Sequence, residues 1–224
     1  MSGMIFKPIT LSLRVAIIAT FFSLVFGVYF ARLLTKKQFL GKNVAEVLIT
    51  LPIILPPSVT GYLLLLTFGR RGVIGRWLYS LGIQFVFSWT GAVLAACVVS
   101  LPLMYQSVKA AFLNVDPIYE KAGRTLGASE SRIFWTITLP LAWPGIVSGL
   151  VLSFARSLGE FGATLMIAGN IPGKTQTIPL AIYFATESGD MATANFLVAL
   201  MTVFSFILIY SLNHWLKKKN YNGV

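Results

Sequence analysis

Five stretches of the sequence, residues 9–34, 44–68, 87–112, 144–168 and 193–216, are long, apolar and almost free of charge. A helix that crosses the hydrocarbon of a bilayer needs about 20 such residues. Hydrocarbon offers no water to backbone amides, so each stretch must bond internally as a helix. The expectation is an all-α integral membrane protein of about five transmembrane helices. Composition agrees: 56% of residues are hydrophobic and 11% charged, against roughly 25% charged in soluble domains. So few charges cannot cover a surface in water. The 224 residues leave room for one domain, expected over 9–216, followed by a basic tail at 217–224. A shorter apolar stretch, 178–185, is too brief to span and reads as a re-entrant or surface helix. Residues 1–10 show no cleavage site after a short apolar core, so the first stretch is expected to be retained as a span.

The formal net charge is +11. In a soluble chain that would suggest nucleic acid; here the cations sit between apolar runs and instead set orientation. With the N-terminus outside, the inner side collects Arg32, Lys36, Lys37, Lys42, Lys109, Lys121, Arg124, Arg132, Lys217, Lys218 and Lys219. The outer side holds the smaller set Lys7, Arg70, Arg71, Arg76 and Lys174. The bias predicts N-out, C-in. Arg70, Arg71 and Arg76 run against it, and the readings that stay open for them are attracting an anion or docking an anion-loaded partner by complementary charge, or anchoring at lipid headgroups.

Residues 44–68 contain Pro52, Pro56 and Pro57. Each proline removes a donor and crowds the preceding turn, so this span is expected to be irregular. It either lines a path or is a kink packed on neighbours. Pro140 and Pro144 are expected at the start of the fourth span, where proline is tolerated. That span carries Gly145, Gly149, Ser153 and Ser157 at four-residue spacing, with a second row at Ala155, Gly159 and Ala163. Small faces let helices approach closely in lipid. Arg156 and Glu160 share a face four residues apart. Charge at membrane depth is expensive and faces the bundle interior. The pair either serves passage of an anion, Arg156 attracting and Glu160 tempering, or is a mutual pair or a subunit contact. Ser58, Thr60, Ser153, Arg156, Ser157 and Glu160 are the candidates to line a path.

The segment 113–143 is the most informative. Asp116 is a good N-cap and Pro117 suits the first helical position. Gly127 suits the left-handed residue that ends a helix, and Ser129 can cap the next one. A short helix over 117–126 is expected, outside the membrane. Alone it is marginal in water. Ile118, Ala122 and Leu126 fall on one face. The helix is either a docking element for a partner or an ordinary capped surface helix.

These residues resemble the EAA loop of bacterial ABC importer permeases, E-A-A-x-x-x-G-(x)9-I-x-L-P. Ala122, Gly127, Ile137, Leu139 and Pro140 fit it, while Lys121 stands at the glutamate position with Glu120 just before it, and Gly123 at the second alanine. The resemblance implies a type I ABC importer permease fold and a coupling helix that docks on a separate ATP-hydrolysing subunit through Glu120, Lys121, Ala122, Gly123, Arg124, Leu126 and Gly127. Residues 157–183, beginning Ser157-Leu-Gly-Glu-Phe-Gly, resemble permeases for the tetrahedral oxyanions molybdate and sulfate. Residues 51–61 and 68–75 resemble the molybdate branch, and the five-span length fits it too. Tungstate, sulfate and thiosulfate permeases are the alternatives within that resemblance. It implies a multi-pass protein of the bacterial inner membrane, and as partners the ATPase and a periplasmic or lipid-anchored oxyanion-binding protein, which would dock at Arg70, Arg71 and Arg76. Five helices enclose too little volume for a private path, and alternating access rocks one half against another, so a homodimer is expected. Rivals of another class are a secondary anion carrier or channel, and a plain membrane anchor.

No cofactor, metal site or enzyme chemistry is expected. Residues 168–175 nearly reproduce the phosphate-binding pattern G-x-x-x-x-G-K-[ST], with Ala168 for the first glycine. They follow a span rather than a strand, so they are read as a decoy. Cys97 is expected to be a buried small hydrophobe and His214 to sit at the interface.

Overall fold

The structure, a computed structural model, describes residues 2–36 and 39–221, and side chains within 5–36 and 39–218. Lys37, the Lys219 side chain and residues 222–224 of the basic tail lie outside the described residues. The order is α1 (Ser2–Lys36), α2 (Lys42–Ile54), α3 (Pro57–Phe68), α4 (Val73–Ser80), α5 (Trp89–Leu113), α6 (Pro117–Thr125), α7 (Glu130–Ile133), a π-helical segment (Phe134–Thr138), α8 (Leu139–Leu158), α9 (Gly162–Ala168), α10 (Ile178–Glu187) and α11 (Met191–Tyr221).

Four helices among the described residues are long and apolar enough to cross a membrane on their own: Ile5–Lys36, Trp89–Leu113, Glu130–Leu158 and Met191–Lys218. The remaining expected span, 44–68, is the pair α2 and α3. The chain breaks at Leu55, which is extended, and Pro56 and Pro57 restart it. The fourth span differs from expectation at both ends. It begins earlier, because α7, the π-helical segment and α8 form one rod with Pro140 and Pro144 inside it. The Leu139 N–H reaches the Phe134 carbonyl, the five-residue step of a π turn. That wide turn directly precedes Pro140, which has no N–H to offer. At its far end the rod stops at Leu158, and Gly159–Phe161 separate it from α9.

The core is α1, α5 and α8. Ala19 of α1 and Ala92, Ala95 and Ala96 of α5 are fully buried in one cluster. A Cβ on Gly149 would lie 2.7 Å from Ser107 Cβ, and one on Gly145 2.5 Å from Ala111 Cβ. The small row of α8 is therefore its seam with α5, as helix packing in lipid requires. Hydroxyls add to the seam: Ser23 Oγ lies 2.8 Å from Ser100 Oγ, and Ser153 Oγ donates to the Ser100 carbonyl at 3.3 Å. Cys97 is buried beside Ser23.

The 178–185 stretch is α10, which does not span. Its Ile178 N–H donates to Ser12 Oγ of α1 at 2.7 Å, and Ile178 and Ala181 pack with Leu197 of α11. The α11 helix is peripheral, with only Ala194, Leu197 and Leu212 buried among its described side chains. Cations make contacts near both ends of the bundle. Lys36 and Lys109 pair with Glu120 and Glu46 at one end. At the other end Arg14 stacks 3.9 Å above the Trp89 ring, and Lys7 Nζ would lie 3.5 Å from a Cβ on Gly173.

Candidate functional site

The α6 helix forms where the sequence places it. Asp116 Oδ1 accepts from the Ile118 N–H at 2.9 Å, and Pro117 occupies the first turn. At the other end the Ala128 N–H reaches the Gly123 carbonyl and the Gly127 N–H the Arg124 carbonyl, both at 3.0 Å. This is a Schellman closure, and it needs the left-handed residue supplied by Gly127 at φ 77°.

One face of α6 is braced to the bundle. Gly123 is buried, and a Cβ there would sit 3.0 Å from Ile137 Cδ1 and 3.1 Å from Ile133 Cγ1. Glu120 points inward, with its side chain only 15% exposed. Its carboxylate takes Lys36 Nζ of α1 at 2.6 Å, Thr138 Oγ1 at 2.8 Å and Arg124 Nη2 at 3.3 Å. Arg124 continues to Glu130 at the start of α7, at 3.2 Å between Nη2 and Oε2. Arg32 lies 3.7 Å above the Phe134 ring beneath this network. The charges thus join α1, α6 and the α7–α8 rod at one point. Burial pushes the Glu120 carboxyl up, but Lys36, Thr138 and Arg124 together outweigh it and hold it below its usual 4.5.

The lowered value fixes the sign of a pH effect. The stabilisation from Glu120 is complete above the unfolded carboxyl value and is lost as the pH falls through the lowered folded value. Glu120→Gln is expected to loosen α6 by about 1–2 kcal/mol. Hydrogen exchange at the 118–126 amides will read this as faster opening, with the difference from the unmodified chain shrinking as the pH falls below the ordinary carboxyl value and through the lowered one.

The opposite face of α6 is bare. Leu126 is 86% exposed and Ile118 62% exposed, with Tyr119, Lys121 and Ala122 exposed beside them. Apolar side chains held outward on a braced helix are a surface prepared for burial by something else.

The expected path residues divide. Ser58 is exposed at the start of α3; Thr60, Ser153 and Ser157 are buried within the protomer. Thr60 Oγ1 and Ser157 Oγ have no hydrogen-bond partner among the described residues. Arg156 Nη1 lies 2.7 Å from Glu160 Oε2, an ion pair whose angles miss those of a hydrogen bond. The α3 and α9 helices lie in backbone contact: a Cβ on Gly61 would be 2.7 Å from Ala163 Cα. Of the three outer arginines, Arg70 stacks 4.6 Å from the Tyr79 ring of α4, and Arg71 and Arg76 are exposed.

Several partners escaped the sequence. Lys36 stands 84 residues from Glu120 and Thr138 stands 18 away, separations that no helical spacing reveals. The second carboxylate at this end, Glu130, follows the cap Ser129 and looks like an ordinary first-turn acid.

A family model described as binding-protein-dependent transport system inner membrane component matches residues 23–220. The chain is 49% identical over 215 residues to the molybdenum transport system permease protein ModB of Escherichia coli (strain K12), covering 95% of this chain and 93% of that protein. It is 36% identical over 198 residues to the sulfate transport system permease protein CysT of the same organism, covering 88% of this chain and 72% of that one. Among solved structures, the MetNI methionine ABC transporter in inward-facing form is similar at a TM-score of 0.72 and 16% identity, covering 97% of each chain. At that identity the likeness concerns the fold.

Proposed function

The chain belongs to the binding-protein-dependent transport system inner membrane components, and from that premise we infer that it is the membrane-spanning permease of a molybdate importer. The agreement in length and identity with the molybdenum permease, closer than that with the sulfate permease, carries this reading. The fold is all-α, of the type I importer permease kind, and the protein is a transport subunit spanning the membrane several times.

The finer assignments are ours. The protein sits in the bacterial inner membrane with α6 on the cytoplasmic side. Ile118, Tyr119 and Leu126 seat in a groove of a separate ATPase, with Lys121, Ala122 and Arg124 around them. Gly123 and Glu120 act from the other side, tying α6 to its own bundle. Two copies of the chain face each other, and the ion passes between them, because small residues bring α1, α5 and α8 into close contact within one copy. Ser58 and Arg156, beside the interruptions of the second and fourth spans, border that path; Thr60 and Ser157 stand behind them. ATP-driven closure of the ATPases moves the two α6 helices, and the charge network carries the motion into α1 and α8. A switch of this kind needs contacts that differ between its two states, and docking of α6 supplies them. A periplasmic oxyanion-binding protein delivers the ion at the outer end, where Arg70, Arg71 and Arg76 meet it by complementary charge.

Reconstitution tests the reading. Vesicles holding this chain, its ATPase and its binding protein are expected to take up radiolabelled molybdate only with ATP, and vesicles holding the chain alone to take up none. Uptake by the chain alone would make it a carrier or channel. Competition by excess tungstate and sulfate sorts the oxyanions.

A further inference from the structure

The two interrupted spans break at the same place in the bundle. A Cβ on Gly162, the first residue of α9, would lie 2.9 Å from Pro57 Cβ and 3.4 Å from the Ser58 nitrogen, at the first turn of α3. Glu160 stands at this junction and is 2% exposed. One oxygen, Oε1, accepts the Ala163 N–H at 2.7 Å and so caps α9. The other, Oε2, meets Arg156 Nη1 of α8 at 2.7 Å. The Arg156 side chain is 33% exposed, and Glu160 is its one salt-bridge partner among the described residues. Within a turn of the breaks, Thr60 and Ser157 bury hydroxyls that find no partner among the described residues. Buried polar atoms left unsatisfied call for a reason, and a polar route running beside the break supplies one.

We propose that Glu160 is a positioning residue for transport: it fastens α9 to α8 at the junction of the two breaks and neutralises Arg156, so that the passing oxyanion is not held there. The inference rests on the molybdate-importer reading. A guanidinium one-third exposed beside the path attracts a dianion, and at membrane depth that attraction is weakly screened. A conduction path must bind loosely enough to release. With Glu160 in place, Arg156 offers a passing anion a dipole rather than a bare charge. The cap explains why a carboxylate stands at this position: one oxygen holds the helix end while the other remains for the guanidinium.

The test separates cap from charge. Glu160→Gln keeps an oxygen for the Ala163 N–H but removes the negative charge. In vesicles with the ATPase and saturating molybdate-loaded binding protein, E160Q is expected to turn over at least ~tenfold more slowly than the unmodified complex. The double variant R156Q/E160Q, with neither charge, is expected to regain most of that loss; a purely structural role for Glu160 would not produce this rescue. Glu160→Ala, which loses the cap as well, is expected to stay slow even when combined with R156Q. Turnover by E160Q equal to the unmodified complex, or a double variant no faster than E160Q, overturns the proposal. So does an E160Q chain that fails to assemble with its ATPase while the double variant assembles, since the pair would then serve folding. The unmodified complex in the same vesicles keeps the two ideas apart: without import by it, the importer reading itself fails.

Discussion

Leu126→Asp is expected to abolish import while leaving the helical bundle folded. Leu126 closes α6 with its side chain 86% exposed, so its loss takes nothing from the protomer's own packing. Surface changes of this kind shift stability by about 0.5 kcal/mol or less. Docking is another matter. A leucine buried in a partner's groove contributes about 1.5–3 kcal/mol. An aspartate forced into the same groove adds a desolvation penalty of several kcal/mol. The sum corresponds to at least ~1,000-fold weaker association. Co-purification of the ATPase with the variant permease, and ATP-dependent molybdate uptake, are the measurements. An unchanged melting curve beside lost co-purification is the expected pair of results. A variant that holds its ATPase and imports normally would show that α6 is not the docking element.

Gly61→Leu is expected to be the most damaging single change inside the bundle. A Cβ at Gly61 would lie 2.7 Å from both Ala163 Cα and Met166 Cβ, and 3.0 Å from the Ala163 carbonyl. Two of these three atoms are backbone, so no rotamer change relieves the clash, and α3 must move off α9. Overpacking commonly costs 1–3 kcal/mol. Here the close approach is itself the source of attraction, since helices in lipid associate through contact rather than hydrophobicity. The loss should reach about 3 kcal/mol, read as a lower melting temperature in detergent and reduced yield of assembled complex. Gly159→Ala is the control. Its Cβ would meet only the Ala155 carbonyl, at 3.6 Å, and the variant should behave as the unmodified protein. Equal stability of the two variants would show that the α3–α9 contact contributes nothing.

What the sequence revealed and what it hid follow from the range of the forces involved. The α6 helix was legible because its determinants are local: Asp116, Pro117 and Gly127 act within four residues of the groups they satisfy. The seam of α8 was legible because Gly145, Gly149 and Ser153 repeat at helical spacing. Prolines announced the irregular second span. The break at Gly159–Phe161 carried no such mark, since apolar residues continue on both sides and the cap comes from Glu160, read there only as a charge. The inward turn of Glu120 was hidden for a different reason. Periodicity puts Glu120 and Arg124 on one face of α6 but does not say which face meets the bundle. Gly123 holds that answer, through its contact with Ile133 and Ile137, and a glycine in a short helix reads as merely permissive until its neighbours are known. The molybdate branch was signalled by short motifs at 51–61 and 68–75, the first of which sits on the interrupted second span.

The lengths of the outermost rods carry a consequence of their own. At 1.5 Å per residue, the 35 residues of α1 and the 31 of α11 extend about 52 and 46 Å, well beyond a hydrocarbon core of about 30 Å. The α1 rod is gripped along the α5–α8 seam, so its inclination belongs to the protein. The α11 rod touches its neighbours through few buried side chains, and its inclination is left to the lipid. Acyl-chain length is thereby expected to matter to this molecule: thin bilayers should lean α11 over and thick ones stand it upright, with the cost falling on the weakly gripped periphery rather than on the seam.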